Sequence, residues 1–299
     1  MRPNSIAVRL AAALGSSLAA ALPLSAAMTP KELLPEVAFP SARDYFEPLT
    51  ADPTELGYGG RMIYPVGGPR FGEIGIGDYV GLFRWRSGSW GVQLNLGGGV
   101  LGRFNLSTRR NNLEVADFTA AIPVDINYDG RHTLRMSYWH ASSHQGDDYI
   151  ARVKPAHLKR AWDLWRPLYS YTPTDRLRAY AGGGVAFNTV NIRGRTMFQC
   201  GLELATSSFW EGKGSLFLAQ DLQAQERVGW NPSYNIRGGL RLTDEKRIAA
   251  ASLFMEYYTG HQYVLQFFEA HESHWGFGIK FEIGNPIRAA PGSMRDKVF

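Results

Sequence analysis

The sequence predicts an all-β fold, an antiparallel up-and-down transmembrane β-barrel of about twelve strands. Three observations predict it: long stretches with a period of two, a composition rich in aromatics and glycine, and connections that alternate between short and long. Aromatics make up 13% of the 299 residues and glycines number 33, more than a helical protein uses. The period-two segments often exceed ten residues, where a soluble sandwich uses strands of ~5 or 6. A barrel strand that crosses a bilayer needs ~9 to 11 residues, apolar outward and polar or small inward.

Arg2 and Arg9 precede an alanine- and leucine-rich stretch, residues 10–24, and the small residues Ser25, Ala26 and Ala27. This is the pattern of a secretory signal peptide, residues 1–27, cleaved after Ala27. No cysteine lies near that point, so a lipoprotein anchor is not expected, and the single Cys200 has no partner for an internal disulfide. Loss of the two leader arginines lowers the net charge of +5 to +3, so nucleic acid is not an expected partner. Past the leader no run of ~18 apolar residues occurs, which excludes an ordinary spanning helix.

Residues 28–56, rich in proline and acids and without a period, read as a periplasmic N-terminal arm or partial plug. The barrel follows over 57–283, with strands expected near 57–66, 71–85, 90–101, 113–127, 131–144, 161–171, 176–189, 195–208, 214–224, 232–243, 246–259 and 272–283. The clearest alternation runs from Trp90 to Val100. Trp90, Val92, Leu94, Leu96 and Val100 form one face; Gly91, Gln93, Asn95, Gly97 and Gly99 form the other. Between Ala116 and Ile126, Phe118, Ala120, Ile122 and Val124 oppose Asp117, Thr119 and Asp125. Leu158, Ala161, Trp162 and Trp165 also fit helical spacing, but a strand through Trp162, Leu164, Arg166 and Leu168 suits the strand count better.

Tight links at 86–89, 128–130, 172–175 and 244–245 alternate with longer ones such as 102–112 and 145–160. Bacterial barrels keep short turns on the periplasmic side, so the long loops are assigned to the outside. Trp85 and Trp90 flank a short turn, where an aromatic girdle anchors the periplasmic rim. In the last strand Gly276, Ile279 and Phe281 resemble the signal that outer-membrane proteins present to the barrel-insertion machinery. A C-terminal tail, residues 284–299, follows it.

Gly97, Gly99 and Gly102 match a dinucleotide fingerprint, yet a polar loop rather than a helix follows them, so the match is rejected. These glycines instead keep the barrel interior open or let backbones approach.

The stretch YWHASSHQGDD, Tyr138 to Asp148, concentrates two histidines, two serines and two aspartates. A three-residue hairpin at Tyr128-Asp129-Gly130 would set Asn127 opposite Arg131. Phe118 then faces His140, Ala116 faces Ser142, and Glu114 faces His144. This register places His140, Ser142 and His144 on the lipid-facing side at the extracellular end of the fifth strand, with Glu114 beside them. Polar groups there can simply mark where a strand leaves hydrocarbon.

A sharper reading is nucleophilic chemistry. Residues two apart on a strand share a face, so Ser142 is a candidate nucleophile and His140 its base, with Glu114, Asp147 or Asp148 as the acid and His144 nearby. His140-Ala141-Ser142 resembles the H-x-S site of outer-membrane phospholipase A and of the lipid A deacylases, whose histidine and serine face the lipid they cut. Ser143 stands where those enzymes usually carry asparagine. That resemblance also implies a homodimer. A metal site is the third option, with Asp147 and Asp148 as candidate ligands in the loop, and calcium the expected cofactor only under the hydrolase reading. His140 and His144 would be roughly 13 Å apart on a strand, too far to share an ion, at ~3.3 Å per residue.

A wider resemblance rests on FEPLTADPTE (Phe46 to Glu55), SSHQGDD (Ser142 to Asp148) and RAYAGGGVAF (Arg178 to Phe187). Together these resemble an uncharacterised bacterial outer-membrane family, domain of unknown function 1207. Its S-S-H-x-G-D-[ED] pattern matches Ser142, Ser143, His144, Gly146, Asp147 and Asp148, and its A-D-P-R-E appears as Ala51 to Glu55 with Thr54 for arginine. The resemblance implies a bacterial outer-membrane location and leaves the activity open. Two function classes follow: a structural or small-solute-conducting barrel, and, as the alternative, a lipid acyl hydrolase. Arg84, Asp117, Asp125, Arg135, Lys280 and Glu282 occupy inward positions, which favours a polar lumen. Outer-membrane lipids are expected partners under either reading.

Overall fold

The alternation folds into twelve strands. The computed structural model describes residues 37–38, 45–156, 159–244 and 249–283. The strands are β1 (Tyr58–Pro65), β2 (Phe71–Ser87), β3 (Trp90–Asn105), β4 (Asn112–Tyr128), β5 (His132–Gln145), β6 (Lys159–Thr174), β7 (Leu177–Val190), β8 (Thr196–Ala205), β9 (Gly214–Gln225), β10 (Ser233–Asp244), β11 (Ala249–His261) and β12 (His271–Ile283). Each pairs antiparallel with its chain neighbours, and β12 closes on β1 with Phe281 opposite Tyr58 and His274 opposite Pro65. This pairing joins the two ends of the sheet. The leader, its cleavage point after Ala27, most of the arm before Tyr45 and the tail 284–299 lie outside the described residues. Val37 and Ala38 pair with Arg84 and Phe83, on the stretch of β2 that extends past the start of β1.

Outward positions are apolar and exposed: Leu96, Phe118, Ile122 and Trp165 are 46–56% accessible. Such a belt suits hydrocarbon rather than water. The ends differ. Short links at the turn end carry a chain of rings, Trp90 on Tyr128 at 4.7 Å and His132 on Tyr171 at 4.8 Å. The loop end carries the longer connections, among them helix α1 (Asp147–Val153) between β5 and β6. Residues 159–174 are strand, with Trp162, Leu164, Arg166 and Leu168 all buried inward.

The β4–β5 hairpin departs from expectation by one step. Tyr128 pairs with His132, so the loop is Asp129-Gly130-Arg131. Asp129 and Gly130 both take positive φ, 51° and 60°, and Asn127 Oδ1 accepts from Gly130 N at 2.9 Å. The register therefore moves by two residues: His140 faces Ala120, Ser142 faces Phe118 and His144 faces Ala116. An even shift preserves faces.

The lumen is occupied. Residues 45–57 enter from the turn end, and inward side chains of β1, β5, β7 and β10 grip their carbonyls. Phe46 O accepts from Arg135, Glu47 O from Arg178, Thr50 O from Arg237, Ala51 O from Asn235 and Pro53 O from Arg61, at 2.7–3.2 Å. Asp52 binds Arg166 at 2.9 Å, and Thr50 N donates to Glu203 at 2.7 Å. A chain segment with no sheet partner thus has its carbonyls satisfied by side chains, as burial demands. Gly97 and Gly99 explain themselves here. A Cβ on Gly97 would meet the Tyr79 ring at 2.6 Å, and one on Gly99 would meet Leu56 at 2.9 Å and Gly77 Cα at 2.7 Å. The glycines make room for the arm and for close backbone approach.

From the loop end the β11–β12 connection folds inward. Tyr263 donates to Glu73, and Leu265 N donates to Asp117 Oδ2 at 2.6 Å. Between arm and loop lies an ionic lattice in which Arg103 bridges Glu73 and Glu272 at 2.6 and 3.1 Å, and Glu256 joins Arg61 and Arg237. Cavities of about 20 and about 70 Å³ lie against Tyr263.

Candidate functional site

The stretch from Tyr138 to Asp148 separates by parity. Ser143 faces inward, fully buried, and donates to Asp117. His140, Ser142 and His144 face outward, as the sequence predicts for them. Across the ladder His140 sits opposite Asp163 of β6, and Asp163 sits opposite Asn188 of β7. The imidazole Nδ1 lies 2.6 Å from Asp163 Oδ1. Tyr138 donates to the same oxygen at 3.0 Å, and Asn188 Nδ2 donates to Asp163 Oδ2 at 2.7 Å. Three donors thereby fix one carboxylate on the outward surface, where an unpartnered one would be costly.

A bulge makes this possible. The β6–β7 ladder slips between Asp163 and Leu164, so Phe187 and Asn188 together oppose Asp163 and both are exposed. Bulges commonly re-aim a side chain in this way. Without the extra residue Phe187 would oppose Asp163, and no amide would reach it. Below the carboxylate, Tyr138, Trp165 and Phe187 form an aromatic cluster with centroids 6.0–6.1 Å apart. An aromatic belt followed by a polar row is the order expected where hydrocarbon gives way to headgroups.

Ser142 lies one outward step from His140 toward the loop end, ~6.6 Å along the strand. It is half-buried and, among the described residues, forms no side-chain hydrogen bond. Nδ1 of His140 faces Asp163, which leaves Nε2 on the far side of the ring. His144 packs edge-on against Phe118 at 5.7 Å and stands opposite Lys159.

Glu114 does not join this group. A bulge between Arg103 and Phe104 of β3 skips Glu114 in the pairing. The side chain is buried and binds Arg152 of α1 at 2.7 Å and Asn105 at 3.0 Å. Asp147 and Asp148 occupy the exposed first turn of α1. Among the described residues, no three His, Cys, Asp or Glu side chains come together to hold a metal ion. Asp163 and Asn188 are absent from the sequence-derived set. The available signal was an aspartate between two tryptophans, Trp162-Asp163-Leu164-Trp165, on the face that otherwise carries aromatics.

Fold and surface together define an outer-membrane-type β-barrel with an occupied lumen. The chain belongs to the family described as protein of unknown function (DUF1207), whose model matches residues 17–283. No curated protein matches by sequence. Among solved structures, the Salmonella typhi outer membrane phospholipase, a dimer with bound calcium, is similar at TM-score 0.55 and 12% identity, covering 82% of this chain and 96% of that one. The KdgM porin gives 0.45 and 7% over 76% and 99%, and the β domain of the Bordetella autotransporter BrkA gives 0.46 and 10% over 76% and 98%. At these identities the likeness is one of fold.

Proposed function

We propose that the protein is an acyl hydrolase of the bacterial outer membrane, acting on membrane lipid through Ser142, His140 and Asp163. The observation that carries this reading is the His140 Nδ1 to Asp163 Oδ1 contact of 2.6 Å on the outward face, one step from a serine. A carboxylate on Nδ1 orients the imidazole and stabilises the imidazolium, leaving Nε2 to act as base. The ester carbonyl of a lipid lies near the polar row above the aromatic cluster. Ser142 Oγ attacks that carbonyl as its proton passes to His140 Nε2. The imidazolium then protonates the departing alcohol oxygen as the ester C–O bond breaks. Water, deprotonated by His140, releases the fatty acid from Ser142 by the reverse sequence. Ser142 and His140 are not hydrogen-bonded in the free protein, and such contacts often tighten only with substrate.

Conduction is less well supported, because the arm and the β11–β12 loop fill the lumen and satisfy its inward arginines. The partners implied are outer-membrane lipids, the insertion machinery and, as in the phospholipase solved as a dimer, a second copy. The test is fatty-acid release from phospholipid and lipid A by the refolded barrel, with and without calcium. Release that disappears in both Ser142→Ala and His140→Ala is expected. A folded wild type that releases nothing under any of these conditions overturns the reading.

A further inference from the structure

Most lumenal arginines have a close carboxylate. Arg61, Arg103, Arg135, Arg166, Arg178 and Arg237 each lie within 3.3 Å of one. Two at the loop end lack a buried counter-charge. Arg160 points inward from β6 and is 5% accessible; its carboxylate is Glu269, 3.1 Å away and itself 70% exposed. Arg227, on the short 3-10 turn Glu226–Val228 after β9, has no carboxylate within ion-pair distance among the described residues.

The two guanidinium groups share a ring. Phe268 of the β11–β12 connection lies 4.5 Å from Arg160 and 4.7 Å from Arg227, and Trp162 lies 4.3 Å from Arg227. Their central carbons are therefore within about 9 Å of each other. Nε and Nη1 of both arginines are buried without a hydrogen-bond partner. Burial, reinforced by Arg160 and opposed by Asp117, draws the Arg227 guanidinium down to about 9, the direction expected for a buried cation short of counter-charge. Buried guanidinium nitrogens left without acceptors are costly, so four of them, on two guanidiniums that flank one ring, call for an acceptor-rich anion. A cavity of about 70 Å³ borders Arg227, Trp162 and Gln225.

We propose that this loop-end cluster binds a phosphate group, held by Arg160 and Arg227. Phosphate offers up to two charges and several acceptor oxygens, enough to serve both guanidiniums at once, where a carboxylate offers one charge and two oxygens. The group comes from free orthophosphate or from a phosphorylated sugar entering from the loop end. Because Arg160, Arg227 and Phe268 belong to β6 and to two different connections, binding ties the loop end together and raises stability by mass action.

The experiment titrates the refolded full-length barrel with orthophosphate and, separately, with glucose 6-phosphate, against chloride at matched ionic strength, following the thermal unfolding midpoint and phosphorus-31 line width. A saturable rise in midpoint is expected, with half-saturation at least tenfold weaker in Arg227→Gln and in Arg160→Gln. Tighter binding of the sugar phosphate identifies a glycan source, and tighter orthophosphate a free one. Equal midpoint shifts in wild type and both variants show only general salt stabilisation and overturn the proposal. Should the variants not fold, absence of line broadening by wild type overturns it equally.

Discussion

Replacement of Phe46 by alanine tests how the arm is held. Phe46 is 1% accessible, packs with Leu49, Leu168 and Tyr180, and lies between the Arg135 and Arg178 guanidiniums, 4.7 Å from each. Truncating a buried phenylalanine costs about 3–5 kcal/mol. The barrel ladder is untouched, so this cost falls on docking of the arm rather than on the strands. At ~1.4 kcal/mol per tenfold, the undocked population rises by roughly two to three and a half powers of ten. A cysteine at the fully buried Ala51, in a background with Cys200 replaced by serine, reads this directly through its thiol-labelling rate in the folded barrel. When opening is fast relative to modification, that rate follows the open population. Labelling accelerated at least a hundredfold by Phe46→Ala is the expected result. An unchanged rate refutes the claim that the aromatic clamp holds the arm in the lumen.

Other perturbations follow from the same contacts. Arg103→Met removes one of the two cations on Glu73, which keeps Arg61 and the Tyr263 hydroxyl, and leaves Glu272 with His274, so it is expected to destabilise the folded barrel by about 1–3 kcal/mol in urea titrations, whereas replacing the exposed Lys213 of the Glu211 pair, both side chains more than 70% exposed, leaves the midpoint unchanged. Burial pushes the Asp52 carboxyl up, but Arg166, Gln199 and Thr54 more than offset this and hold it below its ordinary value of 3.8. Its contribution to arm docking is therefore complete above that value and lost as pH falls through the lower, docked value. The labelling rate of the Ala51→Cys site, divided by that of a free thiol at the same pH to remove the change in thiolate fraction, should be flat from pH 8 to 5 and rise below about 4, and Asp52→Asn should remove that acid limb. In the hydrolase assay Asp163→Ala and Asp163→Asn should each lower turnover about a hundredfold or more, because an amide neither holds the required tautomer nor stabilises the imidazolium. Full turnover in Asp163→Asn contradicts support of His140 by that carboxylate.

The strands were legible because period-two alternation is a strong signal when one face meets hydrocarbon and the other a polar lumen. Asp117, Asp125 and Arg135 lie inward where parity placed them, and their burial is what the alternation encodes. The β4–β5 register was off by two because Asp129 as well as Gly130 takes a left-handed conformation and the three-residue loop sits one position further along the chain, which composition alone does not reveal. Faces survived that error, so His140 and Ser142 kept their outward place. Glu114 did not, since a bulge displaces it and parity counting assumes an unbroken ladder. Asp163 and Asn188 were illegible for a related reason: their meeting depends on pairing between β5, β6 and β7 and on the extra residue Phe187. The grip on the arm is equally non-local, joining residues 46–53 to side chains as far along the chain as Arg237.

The most direct measurement is covalent labelling of the refolded barrel in lipid vesicles by a fluorophosphonate, with the modified residue identified by peptide mass spectrometry. Such probes report a serine made nucleophilic by its neighbours. A single adduct on Ser142 is expected, lost in His140→Ala and diminished in Asp163→Ala. An unlabelled Ser142 in a correctly folded barrel, or labelling there that is indifferent to His140, contradicts it.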